Sequence, residues 1–546
     1  MIKRNALLFP DDIAIVEGEK SLTFSEFFLK VNMFASKLSG YGVLPHKSVA
    51  VLSMNKTEYL ALYGATSAIG AMLVPLNWRL SLDELSYIIK DSGSKVLFFD
   101  STQSEQAFSL KKLSEVSASK FSLTLVAFDE NYDENRCNRN RDETADCKFT
   151  PFLHNPDDIF TLIYTAAVAG KPRGAALSHN NIIASNLQTC LTMNLGKSDS
   201  YLNMLPLFHI TGMNLSLAVM QMGGKNVIME KFNVQDALSM IEKEKVTLMA
   251  SFPPILNNLL DEFDKNIYDI SSLKNTVGID SPQNVTKFCE KTSSKFWVLY
   301  GQSETSGFVT LSDSSECIGS AGRQCCISNM AIVDENDMVL PSGQSGEIAV
   351  RGPLVFQGFW KNDSSKDEKS DGSTIEHDRS KLQYDSSTIE HDSSRMQCDS
   401  SKVQYNKSIV RYDRSTIRNG WHHTGDIGHI DSNGYLWFEG RKPEKELIKP
   451  GGENVYPAEV EAVVLEHSDI EATCVIGVPD PKFGEGVKAV CVKKIASNLT
   501  AKELIEFVGS RIARYKKPSS VEFVESLPRK SDGSVDRKRV KEIYGC

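Results

Sequence analysis

The stretch YTAAVAGKPRGAALSHNN, residues 164–181, decides how the whole chain is interpreted. It follows an apolar run, Ile159–Ile163, which predicts a buried strand. Gly170 and Gly174 punctuate the stretch, and their missing side chains would let backbone N–H groups approach phosphate oxygens. The pattern therefore predicts a strand that leads into a candidate phosphate loop.

Two cations stand beside these glycines. Lys171 and Arg173 could neutralise the charge of a phosphate group. The loop is not a Walker A motif, because the pattern GxxxxGK[ST] is absent and residues 166–169 carry no hydroxyl. A strand, a glycine turn and two basic residues also occur in ordinary surface turns, so the loop alone leaves both interpretations open.

Length and composition describe a globular protein of more than one domain. The chain has 546 residues, which exceeds one ordinary core, and its net charge of −9 argues against a nucleic-acid partner. Its 11 cysteines lack zinc-ligand spacing, which favours a reducing, cytoplasmic compartment. No apolar stretch approaches the roughly 20 residues that a membrane span needs.

Short β-branched runs alternate with helical patterns through most of the chain. This alternation predicts an α/β fold whose large N-terminal domain has largely parallel sheets. After about Ser320, paired short strands predict a β-rich subdomain. The predicted strands are Val49–Met54, Lys95–Phe99, Leu123–Phe128 and Phe296–Leu299, and the predicted helices are Thr57–Ile69, Leu82–Asp91 and Val234–Glu244.

A repeat array occupies residues 371–419. It contains seven copies of a seven-residue unit, from DGSTIEH to DRSTIRN. Each unit has one apolar position, its fifth, whereas the seam of a coiled coil needs two. Aspartate and serine are also poor residues inside a helix. We therefore predict a solvated, disordered insert within the large domain.

Five further motifs follow the loop in a defined order. In this order and spacing the chain resembles the AMP-forming acyl-CoA synthetases of the adenylate-forming ligase superfamily, from Phe9 to the last residues. The motifs are LPLFHITG (Leu205–Gly212), YGQSETSG (Tyr300–Gly307), HHTGDIGHIDSNGYLWFEGR (His422–Arg441), KPGGENVYPAEVE (Lys449–Glu461) and ARYKKPSSVEFVESLPRKSDGSVDR (Ala513–Arg537).

The resemblance implies an adenylation domain over residues 1–445 and a small mobile α/β C-terminal domain over residues 446–546. It also implies two half-reactions. A carboxylate attacks the α-phosphate of Mg-ATP to give acyl-AMP and pyrophosphate, and a thiol then displaces AMP. The implied cofactors are ATP, Mg²⁺ and coenzyme A, and the implied partner is a small carboxylic acid, with a fatty acid favoured. The sequence indicates no oligomeric state.

Matching the motifs residue by residue implies a nucleotide site. Glu304 takes the position that helps hold Mg²⁺, an ion that prefers carboxylate oxygens. Asp426 and Arg441 take the positions that bind the ribose hydroxyls of AMP. Adenine would lie between the turn at residues 278–282 and Tyr300. The full set implied for cofactor binding is Thr165, Gly170, Arg173, Gly174, Gly278, Asp280, Tyr300, Gly301, Gln302, Ser303, Asp426, Arg441, Lys449, Gly451 and Gly452.

The resemblance also implies an acyl site and a hinge. His209 matches an aromatic position that lines the acyl pocket, and Phe208 and His209 lack the carboxylate that binds the amine in amino-acid-activating relatives. This favours a plain carboxylic acid. Glu446 matches the hinge about which the C-terminal domain turns. Gly451 and Gly452 would face the pantetheine tunnel, with Lys449 beside it.

Two departures from the family pattern concern the first half-reaction. Residues 166–170 replace Ser-Gly-Thr-Thr-Gly, which leaves Thr165, Gly170 and Lys171 for phosphate. Ser534 replaces the lysine that bridges the acid and the α-phosphate. Losing one such donor costs on the order of 10²–10³ in rate. The catalytic set implied by the resemblance is therefore Lys171, Glu304 and position 534, with three substitute cations available: Lys530, Arg537 and Lys538.

Three functions remain open on the sequence. The first is an acid–CoA ligase, supported by the intact motif KPGGENVYPAEVE and by Glu304. The second is a relative that binds nucleotide or acyl-adenylate but has impaired adenylation, suggested by Ser534 and the alanine-rich loop. The third is an acyl-AMP ligase that passes the acyl group to a protein carrier.

Overall fold

The computed structural model describes residues 1–116, 122–128, 149–165, 171–263, 265, 268–361, 411–442, 446–481, 483–495, 497–530 and 534–545. Within these ranges the chain forms two eight-stranded sheets, a five-stranded sheet and a three-stranded sheet. Helices flank the sheets, and the predicted α/β class is confirmed. No helix of the described ranges is long and apolar enough to cross a membrane.

The strands are β1 (Ile13–Glu17), β2 (Lys20–Thr23), β3 (Ser48–Leu52), β4 (Met72–Pro75), β5 (Val96–Phe99), β6 (Thr124–Ala127), β7 (Ile159–Thr165), β8 (Arg173–Ser178), β9 (Ser200–Asn203), β10 (Lys225–Ile228), β11 (Leu248–Ser251), β12 (Asn275–Gly278), β13 (Lys295–Gln302), β14 (Gly307–Asp313), β15 (Asn329–Val333), β16 (Gly346–Arg351), β17 (Phe359–Lys361), β18 (Arg411–Asp413), β19 (Ile417–Arg418), β20 (Trp421–Ile430), β21 (Leu436–Arg441), β22 (Ile470–Asp480), β23 (Gly484–Lys493) and β24 (Ser520–Val524). The helices are α1 (Ile2–Leu8), α2 (Phe24–Gly40), α3 (Thr57–Ala68), α4 (Leu82–Ser92), α5 (Ser104–Val116), α6 (His179–Met193), α7 (Ile210–Met222), α8 (Val234–Glu244), α9 (Ile255–Phe263), α10 (Pro282–Thr292), α11 (Pro457–Leu465), α12 (Ala501–Gly509) and α13 (Arg537–Tyr544).

The first large sheet has the strand order β14-β13-β12-β11-β9-β10-β1-β2. Its inner strands are parallel, and β12 pairs with β13 so that Gly278 lies opposite Val298. Because parallel strands end at the same edge of a sheet, Gly278 and Tyr300 come close together there. This edge carries a cavity of about 610 Å³.

The second large sheet contains β7 and β8, the two strands on either side of the candidate phosphate loop. β7 and β8 form an antiparallel pair in which Thr165 lies opposite Arg173, so the loop joins two strands and not a strand to a helix. α6 begins only after β8, and Ser178 and Asn181 form a capping box at its start. A Cβ atom on Gly174 would lie 3.0 Å from the ring of Tyr164, so this glycine serves packing.

The predicted β-rich subdomain is confirmed. β15 and β16 pair antiparallel, and β16 continues through β20 to β21. The register of the last pair sets Asp426 directly opposite Arg441. Two residues that are 15 positions apart in sequence therefore meet on one edge of the subdomain.

The prediction of disorder was wrong for the C-terminal end of the insert. Residues 371–410 lie outside the described residues, but the last unit of the array, DRSTIRN, belongs to the fold. β18 pairs with β17 so that Trp360 lies opposite Tyr412, and β19 pairs with β20. Asp413 lies 3.8 Å from Arg173, and Ile417 packs against the core. Composition favoured disorder, but distant strands supply these residues with hydrogen bonds and a buried surface.

The C-terminal part packs α11 to α13 on the sheet β22-β23-β24. Lys516 ties this part to the large domain, and its side chain is only 1% exposed. Its ammonium lies 2.6 Å from Glu459 of α11 and also pairs with Glu84 of α4. A buried cation between two carboxylates is compensated only while both domains stay in this arrangement.

Candidate active site

A cavity of about 610 Å³ opens at the ends of β12 and β13 and extends to the β-rich subdomain and the C-terminal part. Residues from four of the sequence motifs or turns line it together, as the sequence predicted for a nucleotide site. These residues include Gly278, Asp280, Tyr300, Gly301, Asp426, Arg441 and Lys449.

Asp426 accepts hydrogen bonds from three side chains at this cavity, and it is 1% exposed. The hydroxyl of Tyr300 donates to its Oδ2 at 2.8 Å, and Nε2 of Gln302 donates to the same oxygen at 2.6 Å. Nε of Arg441 donates to Oδ1 at 2.7 Å. Burial, and then the Asp426 carboxylate, raise the pKa of Tyr300 well above its usual range. Three donors therefore fix the carboxylate, and one acceptor position on Oδ1 is left for a further donor.

Two glycines at the cavity are required by packing. A Cβ atom on Gly278 would lie 1.7 Å from the carbonyl oxygen of Ser251, and one on Gly301 would lie 1.9 Å from that of Gly307. Any larger residue would push the strands apart. These glycines bring the backbone of both strands to the cavity wall.

Lys449 brings a cation of the C-terminal part to the same cavity. The side chain of Lys449 is exposed to the cavity that it lines, while protein atoms pack around its other sides. Removal from bulk water, reinforced by the charge of Arg441, lowers the pKa of Lys449 to about 8. The amine therefore titrates close to neutral pH.

Glu304 lies in the single turn Ser303–Thr305, between β13 and β14. Tyr456, from the start of α11, approaches it. Burial, and next the Glu304 carboxylate, raise the pKa of Tyr456 to about 12. The described residues contain no group of three His, Cys, Asp or Glu side chains that could hold a metal. One carboxylate suits Mg²⁺ that takes its other ligands from phosphates and water.

The structure does not bring Lys171 to the 610 Å³ cavity. Its ammonium lies 5.7 Å from the ring centre of Tyr87 on α4, near Asp91. The guanidinium of Arg173 stacks on Phe359 at 3.7 Å and pairs with Asp413. Gly170 lies outside the described residues. Both cations therefore contact protein partners that the sequence did not indicate.

A smaller cavity, of about 60 Å³, lies between Thr165 and Pro172 of the large domain and the C-terminal part. Thr165, Ser303 and His209 line it, as expected for residues near phosphate and acid. Glu453 lines it too, with its carboxylate between three donors of the large domain. Those donors are Asn77, Arg79 and His209.

The hinge position and the C-terminal loop lie apart from both cavities. Glu446 lies 3.4 Å from Arg537, which also pairs with Glu461. Arg537 is thus engaged within the C-terminal part. Ser534 is exposed, and its carbonyl accepts the N–H of Lys530 at 2.8 Å. Gly451, in the turn Pro450–Gly452, has a φ of 59° and a Cβ there would meet Phe483 at 3.2 Å.

Sequence reasoning missed several residues of the site. Glu453 and Tyr456 belong to the motif KPGGENVYPAEVE, so their position in that motif was an available signal. Asn77 and Arg79 follow β4 in a stretch with no chemical pattern of its own. Only the packing of the C-terminal part on the large domain shows what they contact.

Comparison with known proteins identifies the family of this chain. The model of the AMP-binding enzyme family matches residues 2–360, and that of the AMP-binding enzyme C-terminal domain matches residues 459–533. A feruloyl-CoA synthase of Amycolatopsis sp. is 29% identical over 99% of this chain and 98% of its own. An indoleacetate–CoA ligase of Aromatoleum aromaticum is 30% identical over 99% and 97%.

The o-succinylbenzoate CoA synthetase of Bacillus subtilis has a similar fold in two solved structures. A double mutant bound with its product analogue OSB-NCoA gives a TM-score of 0.78 at 25% identity, covering 99% of this chain and 98% of that one. The complex with the acyl-adenylate intermediate OSB-AMP gives 0.65 at 26% identity, covering 99% and 97%. The chain therefore belongs to the AMP-binding enzyme family and is an AMP-forming acyl-CoA synthetase, an acid–thiol ligase of the adenylate-forming superfamily.

Proposed function

We propose that the protein converts a carboxylic acid, ATP and coenzyme A into acyl-CoA, AMP and pyrophosphate. The observation that carries this proposal is the fixed carboxylate of Asp426 at a cavity that Lys449 of the C-terminal part also lines. A charged acceptor suits ribose hydroxyls, and a cation at the same cavity suits a phosphate. The two domains together then form one nucleotide site.

Each residue of the site has a role in this proposal. Asp426 and Arg441 hold the ribose, and Tyr300 with the turn after β12 holds adenine. Glu304 would hold Mg²⁺, which supplies charge neutralisation at the phosphates when it is bound. Thr165 and Ser303 line the path towards the phosphates. Lys449 neutralises the phosphate that leaves with AMP when the thiol attacks.

The present domain arrangement suits the second half-reaction. The chain is more similar to the Bacillus subtilis enzyme with a CoA product analogue than to the same enzyme with acyl-adenylate, with TM-scores of 0.78 and 0.65. Lys449, Glu453 and Tyr456 all reach the large domain in this arrangement. We infer that the C-terminal domain, residues 446–546, turns about Glu446 between the two half-reactions.

Two classes of acid are candidates. The sequence favoured a fatty acid, whereas the relatives named above act on ferulate, indoleacetate and o-succinylbenzoate, which favours an aromatic acid. His209 and Phe208 supply aromatic contacts to either class. We place the reaction in the cytoplasm, because the spacing of the cysteines in the sequence suits a reducing compartment.

Two assays test the proposal. ATP–pyrophosphate exchange is measured with fatty acids of several lengths, ferulate, indoleacetate and o-succinylbenzoate. Synthetic acyl-AMP is then supplied with coenzyme A or with an acyl carrier protein. We expect exchange with one acid class and thioester on coenzyme A. Transfer to the carrier protein alone would overturn the choice of acceptor, and neither exchange nor thioester would overturn the whole proposal.

Lys449 makes nucleotide binding depend on pH. A bound phosphate favours the charged amine, so AMP binds best below pH 8 and its affinity falls as the free amine loses its proton through its pKa of about 8. Between pH 7 and pH 9 we expect a loss of roughly five- to tenfold in AMP affinity, measured by calorimetry. Lys449→Arg stays charged over this range and should show a nearly flat profile. Matching profiles for the two proteins would contradict the role of Lys449.

A further inference from the structure

One carboxylate of the C-terminal part lies among three donors of the large domain. Nε2 of His209 lies 3.4 Å from Glu453, and Nδ2 of Asn77 lies 3.5 Å from it. The guanidinium of Arg79 forms an ion pair with the same carboxylate. Glu453 is 8% exposed, so this is a built, desolvated anion site.

The donors at this site stabilise the charged form of Glu453. Burial by itself would raise the pKa of Glu453, but His209 and Arg79 outweigh that effect and lower the pKa to about 2. Arg79 also lies over the rings of Trp78 and Phe208, at 4.7 and 5.7 Å, which orients its guanidinium. The position of Arg79 in this anion receptor therefore depends on its aromatic neighbours as well as on Glu453.

The receptor lies beside the path of the phosphates. The small cavity next to Glu453 is lined by Thr165 and Pro172, which flank the loop on either side, and by Ser303, which precedes Glu304. A guanidinium and an imidazole bind phosphate oxygens as readily as carboxylate oxygens. When the C-terminal domain turns away, Glu453 leaves with it and the three donors face this cavity.

We propose that Asn77, Arg79 and His209 form one anion site with two alternating occupants. In the present arrangement the occupant is the carboxylate of Glu453. In the arrangement for adenylation it is the terminal phosphates of ATP, and after the reaction the pyrophosphate. This inference rests on the proposed function and deepens it: the same three donors cannot hold Glu453 and pyrophosphate at once.

A simple latch between the domains would not need this site. Lys516 already ties Glu84 of the large domain to Glu459 of the C-terminal part. Glu453 instead docks on His209, which belongs to the motif LPLFHITG at the predicted acyl site. It also lies beside Thr165 and Pro172, the residues that flank the candidate phosphate loop. Exchange of anions links the departure of one product to the arrival of the domain that brings the thiol site.

The test measures binding of inorganic pyrophosphate with Mg²⁺ by calorimetry, without acid or coenzyme A. Glu453→Gln keeps the size of the side chain but removes the competing charge, so pyrophosphate should bind about tenfold more tightly. Arg79→Gln should bind it at least about tenfold more weakly. Arg511→Gln, an exposed arginine that pairs with Glu466, is the matched control and should bind like wild type.

Tighter binding cannot arise from misfolding, so the Glu453→Gln result is decisive. Unchanged pyrophosphate affinity in that variant would show an interdomain latch only and would overturn the proposal. In the step from supplied acyl-AMP to thioester, pyrophosphate should also inhibit Glu453→Gln more strongly than wild type. If wild type forms no thioester from any acid, the proposed function fails, whereas the pyrophosphate titration still decides the anion site.

Discussion

Replacing Ser534 by lysine is expected to raise the rate of ATP–pyrophosphate exchange by about 10²–10³-fold, the effect of one preorganised donor to a charged transition state. Ser534 is exposed and lies in a short hairpin in which Arg529 bridges Val535. A long side chain at this position projects without disturbing the core. The rate is measured with the acid that gives the best exchange in wild type.

Ser534→Met is the matched control, because methionine has nearly the length of lysine but no charge. We expect wild-type exchange from it, while thioester formation from supplied acyl-AMP stays equal in all three proteins. No gain from Ser534→Lys would contradict the prediction and indicate a substitute cation. Lys530, which lies across the hairpin, and the exposed Lys538 would then be replaced by glutamine in turn.

Asp426→Asn is expected to weaken AMP binding by about 10²-fold, which corresponds to about 3 kcal/mol. The variant keeps the shape of the side chain but removes the charge that Arg441, Tyr300 and Gln302 compensate. Arg441 is then left as a largely buried cation without a charged partner. The NH₂ group of the new asparagine also faces other hydrogen-bond donors. AMP titration by calorimetry at pH 7 measures the effect.

Tyr300→Phe is the graded comparison for Asp426→Asn. It removes one donor to Asp426 and leaves the charge pair with Arg441, so AMP affinity should fall only about five- to tenfold. Thermal unfolding of both variants separates lost binding from lost folding. Wild-type AMP affinity in Asp426→Asn would contradict the assignment of the ribose site.

Local patterns in the sequence were sufficient for much of the fold. The predicted helix Leu82–Asp91 is α4, which ends one residue later, and the capping box of Ser81 and Glu84 fixes its start. The predicted strand at residues 159–163 is β7, extended by two residues. These elements depend on residues close together in the chain, and a pattern of apolar positions describes such neighbours well.

Long-range pairing explains where the predictions failed. Residues 411–419 share the polar composition of their repeat, yet β17 and β20 give them strand partners. Lys171 belongs to a loop with a phosphate-binding appearance, yet its ammonium lies 5.7 Å from the ring centre of Tyr87 on α4 and not at the 610 Å³ cavity. Composition and local motif carry no information about partners that lie far away in the chain.

The amino-acid sequence was enough to predict the α/β class and to order the motifs, and it proposed the nucleotide residues, because those inferences depend on local periodicity and on residue chemistry. The tertiary structure alone decided that Asp426 accepts from three separate strand positions, that the last repeat unit is folded and that Glu453 occupies an anion receptor in the other domain. The physical reason is the same in each case. Burial of a charge or of a polar backbone group requires a specific partner, and only folding brings that partner within hydrogen-bonding distance.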